Sequence, residues 1–370
     1  MKKSLRCVKV AALFVGSVVG AGFATGQEIA LFFGKADVLS LVLSALFMAF
    51  CAFAFLDMGA KKVSLDPRAS LAAGTLVTLC SFFVYAAMIA AAEEVLLRVS
   101  GVRGLSAPVA VAIMLLSAKN TNKISLLNLV AVPLMVGIIL FVGWRAKAGG
   151  GSFRPIAALA YGGMNLLFSG ALMIKEGEDL SLPERVGASA LSGVLLFLML
   201  LFMWKCVGND PSLEMPFLQA ATRANAQGIA SAALLLAILT TMASCAYLVT
   251  EGVMPLLKNR LLAAPLVTLL ALLLSAWGFG NIVRWSYPVV SALGLAATLL
   301  ALFFLLRSRL KKNGATAPHP SAKQTRDPVL PQCNDLHEHR KRGASSVCQR
   351  ECDRGRGSAD PRAPTVRADR

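Results

Sequence analysis

The chain has 370 residues, of which 56% are hydrophobic and only 15% charged, and its mean hydropathy is +0.66. A soluble globular protein carries about a quarter of its residues as charges, and the apolar residues here come in blocks that reach the roughly 20 residues needed to cross a bilayer. Composition therefore excludes a soluble domain and predicts an all-α, polytopic membrane protein. The formal net charge of +17 does not point to nucleic acid, because Lys and Arg lie in connections and in the C-terminal tail, where membrane topology places them.

Ten spanning segments are expected in chain order: 8–33, 38–57, 71–97, 105–118, 125–144, 154–174, 187–204, 228–257, 261–281 and 284–306. The opening "MKKSLRCVKV" imitates the start of a signal peptide, but the apolar run behind it continues to Phe33 and predicts a retained first helix. Segments 8–33 and 228–257 exceed a straight span, so they must tilt, kink or be interrupted. With the N-terminus inside, the inner side holds Lys2, Lys3, Arg6, Lys9, Lys61, Lys62, Arg68, Lys119, Lys123, Lys175, Arg185, Lys258 and Arg260, and Arg307, Arg309, Lys311 and Lys312 after the last segment. The outer connections hold fewer, namely Lys35, Arg98, Arg103, Arg145, Lys147, Arg154, Lys205, Arg223 and Arg284. The excess of positive charge marks the cytoplasmic side, which predicts that both termini lie in the cytoplasm.

Residues 313–370 differ in kind. They are rich in Pro, Arg, Ala and Ser and poor in large apolar side chains. Such a segment cannot bury enough surface to offset its ordering entropy. The expected division is a ten-helix membrane domain over 1–312 and a disordered, basic cytoplasmic tail over 313–370. Cys7, Cys51, Cys80, Cys206 and Cys245 fall in or beside apolar segments and read as small buried side chains. In the tail, Cys333, Cys348 and Cys352 flank His337 and His339 at a spacing that fits no standard zinc pattern.

The most unusual stretch is "VGSVVGAGFATGQEI", Val15–Ile29. It carries Gly16, Gly20, Gly22 and Gly26 inside an apolar run and ends in Gln27-Glu28. Each glycine inside a helix costs about 1 kcal/mol against alanine. A backbone break at membrane depth is tolerated only where protein or a water-filled cavity surrounds it, and broken helices of this kind form substrate and ion sites in secondary transporters. Gly16 and Gly20 also form a GxxxG pair suited to close helix packing. Packing alone does not explain the further glycines or the adjoining carboxylate. An interruption near Val19–Gly22 is therefore expected.

"GSVVGAGFATGQEI" resembles the first-helix signature of the YkvI family of bacterial membrane proteins, relatives of the amino acid–polyamine–organocation transporter superfamily. "AAEEVL" (Ala91–Leu96) is similar to paired glutamates late in that family's third helix, and "MNLLFSGALMI" (Met164–Ile174) to its sixth helix. "TTMASCAYLVTEG" (Thr240–Gly252) and "WGFGNIVRWSYPVVSALGL" (Trp277–Leu295) resemble its eighth helix and its ninth-to-tenth region. The resemblance covers about residues 5–306 and stops short of the tail. It implies a five-plus-five inverted repeat in which helices 1 and 6 are broken, and a location in the bacterial inner membrane.

Candidate site residues follow. The broken stretch offers Gly20, Ala21, Gly22, Gln27 and Glu28 to a substrate. Glu28 is the sharpest of these, because a carboxylate inside a membrane costs roughly 3 kcal/mol by insertion scales and marks a binding or relay site. Asn165 and Ser169 in the sixth segment could bind polar substrate groups or hydrogen-bond between helices. Glu28, Glu93 and Glu94 are the proton-relay candidates. Adjacent helical residues point about 100° apart, so only one of Glu93 and Glu94 can face the core, and the other can pair with Arg98. "AILTT" (Ala237–Thr241) resembles the pattern with which sodium-coupled members of the fold hold sodium. Its ligands would be Ala237, Thr240 and Thr241 together with the carbonyls of Gly16 and Val19. Oxygen ligands suit such a hard cation, although membrane hydroxyls often only bond back to the preceding turn.

No nucleophile–base pair, metal cluster or phosphate loop is evident, so an enzyme is not expected and no cofactor is implied beyond sodium or a proton as coupling ion. The expected function is a secondary active transporter for an amino acid or related small solute, embedded in the lipid bilayer. The alternative is a non-transporting membrane sensor or scaffold that keeps the fold.

Overall fold

Apolar runs this long leave the backbone one economical solution, which is to satisfy every N–H and C=O inside helices. The computed structural model describes residues 2–63, 67–119, 121–208 and 215–314, excepting the side chains of 2, 3, 117–131 and 308–314. The chain divides into two units, Met1–Ala317 and Pro318–Arg370. The second unit, and with it residues 315–370 of the tail expected to be disordered, lies outside the described residues, while 313 and 314 end α13.

The first expected segment is three helices rather than one: α1 (Lys2–Val18), α2 (Ala21–Thr25) and α3 (Gln27–Phe33). Then come α4 (Val38–Ala60), α5 (Pro67–Ser100), α6 (Ser106–Lys119), α7 (Thr121–Arg145), α8 (Pro155–Gly177) and α9 (Leu182–Val207). A short helix that sequence reading missed, α10 (Pro216–Arg223), precedes α11 (Gln227–Leu257), α12 (Arg260–Ser275) and α13 (Phe279–Gly314). Among the described residues six helices are long and apolar enough to cross a membrane, namely α4, α5, α8, α9, α11 and the Phe279–Arg307 part of α13. Ser106–Leu116, Val132–Arg145 and Arg260–Ser275 are shorter apolar helices.

Local chemistry sets several boundaries. Asp37 caps α4 by accepting from the Ser40 N–H at 3.0 Å, a free donor of the first turn. Ser181 and Glu184 form a reciprocal capping box at the start of α9. The strand-like pairing of Ala36 with Ser152 ties the end of α3 to the approach to α8, through Asp37 N to Ser152 O and Ser152 N to Lys35 O, both 3.1 Å. That tie holds the interrupted helix against the bundle.

The sixth segment corrects an expectation. Helix 6 is not broken: α8 runs without interruption from Pro155 to Gly177. Its glycines serve close approach instead. A Cβ on Gly163 would lie 2.5 Å from the backbone of Leu295 in α13, and Gly294 meets the backbone of Gly163 in return. The polar side chains of α8 bond back to their own helix, Asn165 Nδ2 to Tyr161 O at 3.0 Å and Ser169 Oγ to Asn165 O at 2.9 Å. These bonds satisfy the side chains within the continuous helix.

At the end where α1 begins, charge pairs gather. Asp57 at the end of α4 is buried and paired with Arg185 of α9 and, at 2.7 Å, with Lys61. Arg6 lies 4.0 Å from Glu184, and Lys9 lies 3.9 Å from Glu176. The start of α1 and the α8–α9 connection therefore share one end of the molecule.

Gly163→Ala should lower the thermal midpoint of the purified protein, because overpacking costs typically 1–3 kcal/mol. Gly74→Ala in α5, where an added Cβ meets nothing within 4 Å, should leave the midpoint unchanged or raise it, since alanine is the better helix former by about 1 kcal/mol. A detergent-phase melting curve for each variant checks both.

Candidate functional site

The site begins at the interruption in the first segment. α1 ends at Val18, where Val19 N bonds Val15 O at 2.7 Å and Gly20 N turns back to Val18 O at 2.8 Å. Gly20 is extended, with φ −85° and ψ −173°, and α2 starts behind it. The break lies within the expected Val19–Gly22 stretch. A second discontinuity follows at Gly26, whose φ of +79° is a left-handed conformation that favours glycine. Thr25 Oγ1 supports this turn, donating to Gly22 O at 2.8 Å and accepting from Gln27 N at 3.2 Å.

This geometry places Glu28, in the first turn of α3, so that its side chain folds back over α2. Glu28 is buried, and its carboxyl occupies the space that a Cβ on Gly22 would fill. The Tyr287 hydroxyl, from α13, hydrogen-bonds the carboxyl and lies 2.9 Å from the same position. Gly22 is thus required by the approach of a carboxylate and a phenol to its backbone. Thr241 of α11 completes the break: its Oγ1 accepts from Ala21 N at 3.2 Å and satisfies a leading donor of α2.

These groups border one cavity of about 870 Å³, within the usual ~300–1,000 Å³ of ligand pockets. One face of α1, Lys9, Ala12, Leu13, Gly16 and Ser17, lines it, and α11 lines the facing wall through Ala237, Thr240, Thr241, Ser244, Cys245 and Leu248. Both sets follow helical periodicity. Met164, Asn165 and Phe168 of α8 and Tyr287 and Val290 of α13 add to the wall, with Tyr287 beside Glu28. The cavity runs from Glu28 toward Lys9, whose side chain is 68% exposed. Beyond Glu28, α10 lies against the break: a Cβ on Gly26 would lie 3.0 Å from Pro216 Cγ and 3.1 Å from Phe217 N, and Trp204 Nε1 donates to Phe33 O at 3.2 Å.

Most residues singled out from sequence meet here. Gly20, Ala21, Gly22, Glu28 and Asn165 line the cavity, as do Gly16, Val19, Ala237, Thr240 and Thr241. Ser169 is buried in α8 outside the lining, and Gln27 does not reach it either. Glu93 and Glu94 are not brought to the cavity, contrary to a shared path with Glu28. The Glu93 carboxylate caps the start of α6, accepting from Gly104 N and from Ser106 N at 3.0 Å. Glu94 pairs with Arg98 at 2.8 Å. At the expected ion positions, the Thr240 hydroxyl donates to Ala237 O at 2.9 Å and that of Thr241 accepts from Ala21 N. Each oxygen keeps acceptor capacity on the cavity wall. Among the described residues no group of three or more His, Cys, Asp or Glu gathers to hold a metal.

Sequence reading missed Tyr287, Ser244 and the covering helix α10. Tyr287 had one signal, the Pro288 that follows it inside an apolar segment. Proline removes a helix hydrogen bond, and in a spanning helix that loss marks a place worth inspecting.

No protein-family model and no curated protein matches the chain. Among solved structures the chain is similar to Mhp1, a nucleobase-cation-symport-1 family transporter, in a closed conformation with bromovinylhydantoin bound. The TM-score is 0.50 at 17% identity, over 80% of this chain and 76% of that one. The chain shares the fold of Mhp1. An inward-facing form of Mhp1 is also matched, with TM-score 0.43, 13% identity and coverage of 82% and 74%. A manganese transporter of Eremococcus coleocola is matched at TM-score 0.47, 16% identity and coverage of 82% and 78%. These neighbours are membrane transporters, not enzymes.

The seat of Glu28 on Gly22 is testable by a double-mutant cycle. Gly22→Ala should lower the thermal midpoint by displacing the carboxyl, with a cost of about 1–3 kcal/mol. In the Glu28→Ala background the same glycine substitution should cost much less, because the clashing group is gone. Additive losses would mean that the two positions do not share space.

Proposed function

We propose that this protein is a secondary active transporter of the bacterial inner membrane, carrying a small solute of the amino-acid size class in symport or exchange with sodium or protons. The observation that carries the reading is the interrupted first segment, which brings a buried carboxylate and the hydroxyls of α11 to one cavity. Irregular backbone at membrane depth needs a cavity or protein around it, and in transporters such breaks hold substrate and ion. The fold shared with Mhp1 supports the same reading, and so does the resemblance of the first segment to the YkvI family. We take the chain to span the membrane ten times, as two halves of five, with both termini in the cytoplasm. On that topology the cavity opens inward at Lys9, and α10 lies on the outward side.

Sodium, as cargo, would be held by the carbonyls of Gly16, Val19 and Ala237 and the hydroxyls of Thr240 and Thr241. A proton would ride on Glu28. Uptake assays in proteoliposomes across sodium concentration and pH separate the two modes. Under sodium coupling, Thr241→Val deletes an oxygen ligand and should weaken sodium dependence sharply, while Thr241→Ser retains it. Substrate should then tighten sodium binding by the factor by which sodium tightens substrate. Under proton coupling, Glu28→Gln should abolish the pH dependence of uptake, and Thr241→Val should matter little. Uptake unchanged in both variants would sink both assignments. A protein that binds solute in detergent but moves none across proteoliposomes would be a sensor that keeps the fold.

The topology has its own check. Asp179, exposed in the α8–α9 connection, is placed in the cytoplasm. In Asp179→Cys the new thiol should resist a membrane-impermeant maleimide in intact cells and react after permeabilisation, and labelling from outside would reverse the orientation.

A further inference from the structure

Away from the cavity, α7 and α9 end side by side: a Cβ on Gly143 would lie 2.6 Å from Phe202 O. Each helix leads to that meeting point along an exposed apolar stripe at helical spacing, Leu134 and Phe141 on α7 and Val194 and Leu198 on α9. Contiguous apolar surface of this kind marks contact with a membrane or a partner, and in a multi-pass membrane protein it faces acyl chains.

Both stripes finish in a cation held over a ring. The Arg145 guanidinium, in the last turn of α7, lies 4.2 Å from the centre of the Phe141 ring, and Lys205 Nζ, in the last turn of α9, lies 5.7 Å from that of Phe202. Trp144, 77% exposed, stacks on the same Phe202 ring at 6.4 Å and 23°. Tryptophan is enriched where a membrane protein passes from hydrocarbon to water, so this cluster stands at headgroup depth.

Cations in a last turn complement the carbonyls of a helix end, and aromatic faces attract them. Neither contact neutralises the charge. Among the described residues neither Arg145 nor Lys205 pairs with a carboxylate, and the hydrogen bond of Arg145 runs from Nη1 to Ala224 O at 3.4 Å. At the end where α1 begins, by contrast, Arg6, Lys9, Lys61 and Arg185 each meet one. Two cations beside an interfacial tryptophan, at the head of two apolar stripes, complement one kind of molecule: a phosphate anion carrying hydrocarbon tails. The guanidinium offers paired N–H donors to phosphate oxygens, the ammonium adds a point charge, and the stripes take the tails.

We propose that the joined ends of α7 and α9 bind an anionic phospholipid, its phosphate held by Arg145 and Lys205 and its acyl chains lying along the stripes of Phe141 and Leu198. Ala224, which accepts from Arg145, is the C-cap of α10, and the first turn of α10 lies against Gly26. A bound headgroup thus sits beside the helix that covers the break. The site rests on insertion in a membrane and is independent of what the cavity carries.

The test uses the purified full-length chain in nonionic detergent, with dioleoylphosphatidylglycerol, dioleoylphosphatidylcholine and inorganic phosphate as probes. Native mass spectrometry reads the lipid retained per chain, and a melting curve reads stabilisation by ligand. Phosphatidylglycerol should bind in preference to phosphatidylcholine and raise the thermal midpoint saturably, while inorganic phosphate at the same concentration does neither. Arg145→Gln and Lys205→Gln should each weaken phosphatidylglycerol binding about fivefold, the effect of one Lys or Arg charge near an anionic surface. Arg145→Lys and Lys205→Arg, which keep the charge, should keep the preference, as should Arg284→Gln, which removes an exposed cation near the start of α13. If the glutamine variants fail to fold, a photoactivatable phosphatidylglycerol on the unaltered chain decides instead, with label expected on 141–145 or 202–205. The proposal is overturned by equal binding of the two lipids, by a preference that survives both glutamine substitutions, or by an equal loss in Arg284→Gln. Stabilisation by inorganic phosphate alone, or label confined to other helices, also overturns it.

Discussion

The contact between the Glu28 carboxyl and the backbone of Gly22 is the constraint around which the site is arranged. A carboxyl can lie there only because Gly22 has no side chain, and it can fold back only because Gly26 adopts a left-handed conformation between α2 and α3. Tyr287 then reaches the carboxyl from α13, and Thr241 reaches the freed Ala21 N–H from α11. Two distant helices are thus bound to the same interrupted segment by polar contacts. In a low-dielectric interior such contacts are strong when satisfied and costly when broken, so the break holds its neighbours in register while keeping a cavity beside it.

The rest of the bundle is organised to hold that break still. α8 passes behind it as a continuous helix, locked to α13 through the Gly163–Gly294 approach. The end of α3 is tied to the chain before α8 by the Ala36–Ser152 pairing. α10 lies against Gly26, while α1 and α11 face each other across the open cavity.

The membrane class, the helical content, most helix positions and the existence of a break near Val19–Gly22 were determined by the sequence alone. These depend on local properties: an apolar run has few ways to satisfy its backbone in lipid, and clustered glycines weaken a helix wherever it packs. Glu28 was legible for the same reason, since its charge is out of place in an apolar run. Tertiary structure decided the rest. Glycines in the first segment and glycines in α8 look alike in sequence, yet the first set opens the chain and the second lets helices touch, because only the neighbours determine which use a missing side chain has. The Glu93–Glu94 pair looked like Glu28, but one carboxylate caps α6 and the other meets Arg98. Tyr287 lies more than 250 positions from Glu28 in the chain, and no local pattern relates them. The partner of a buried charge is selected by packing, and packing is a property of the folded whole.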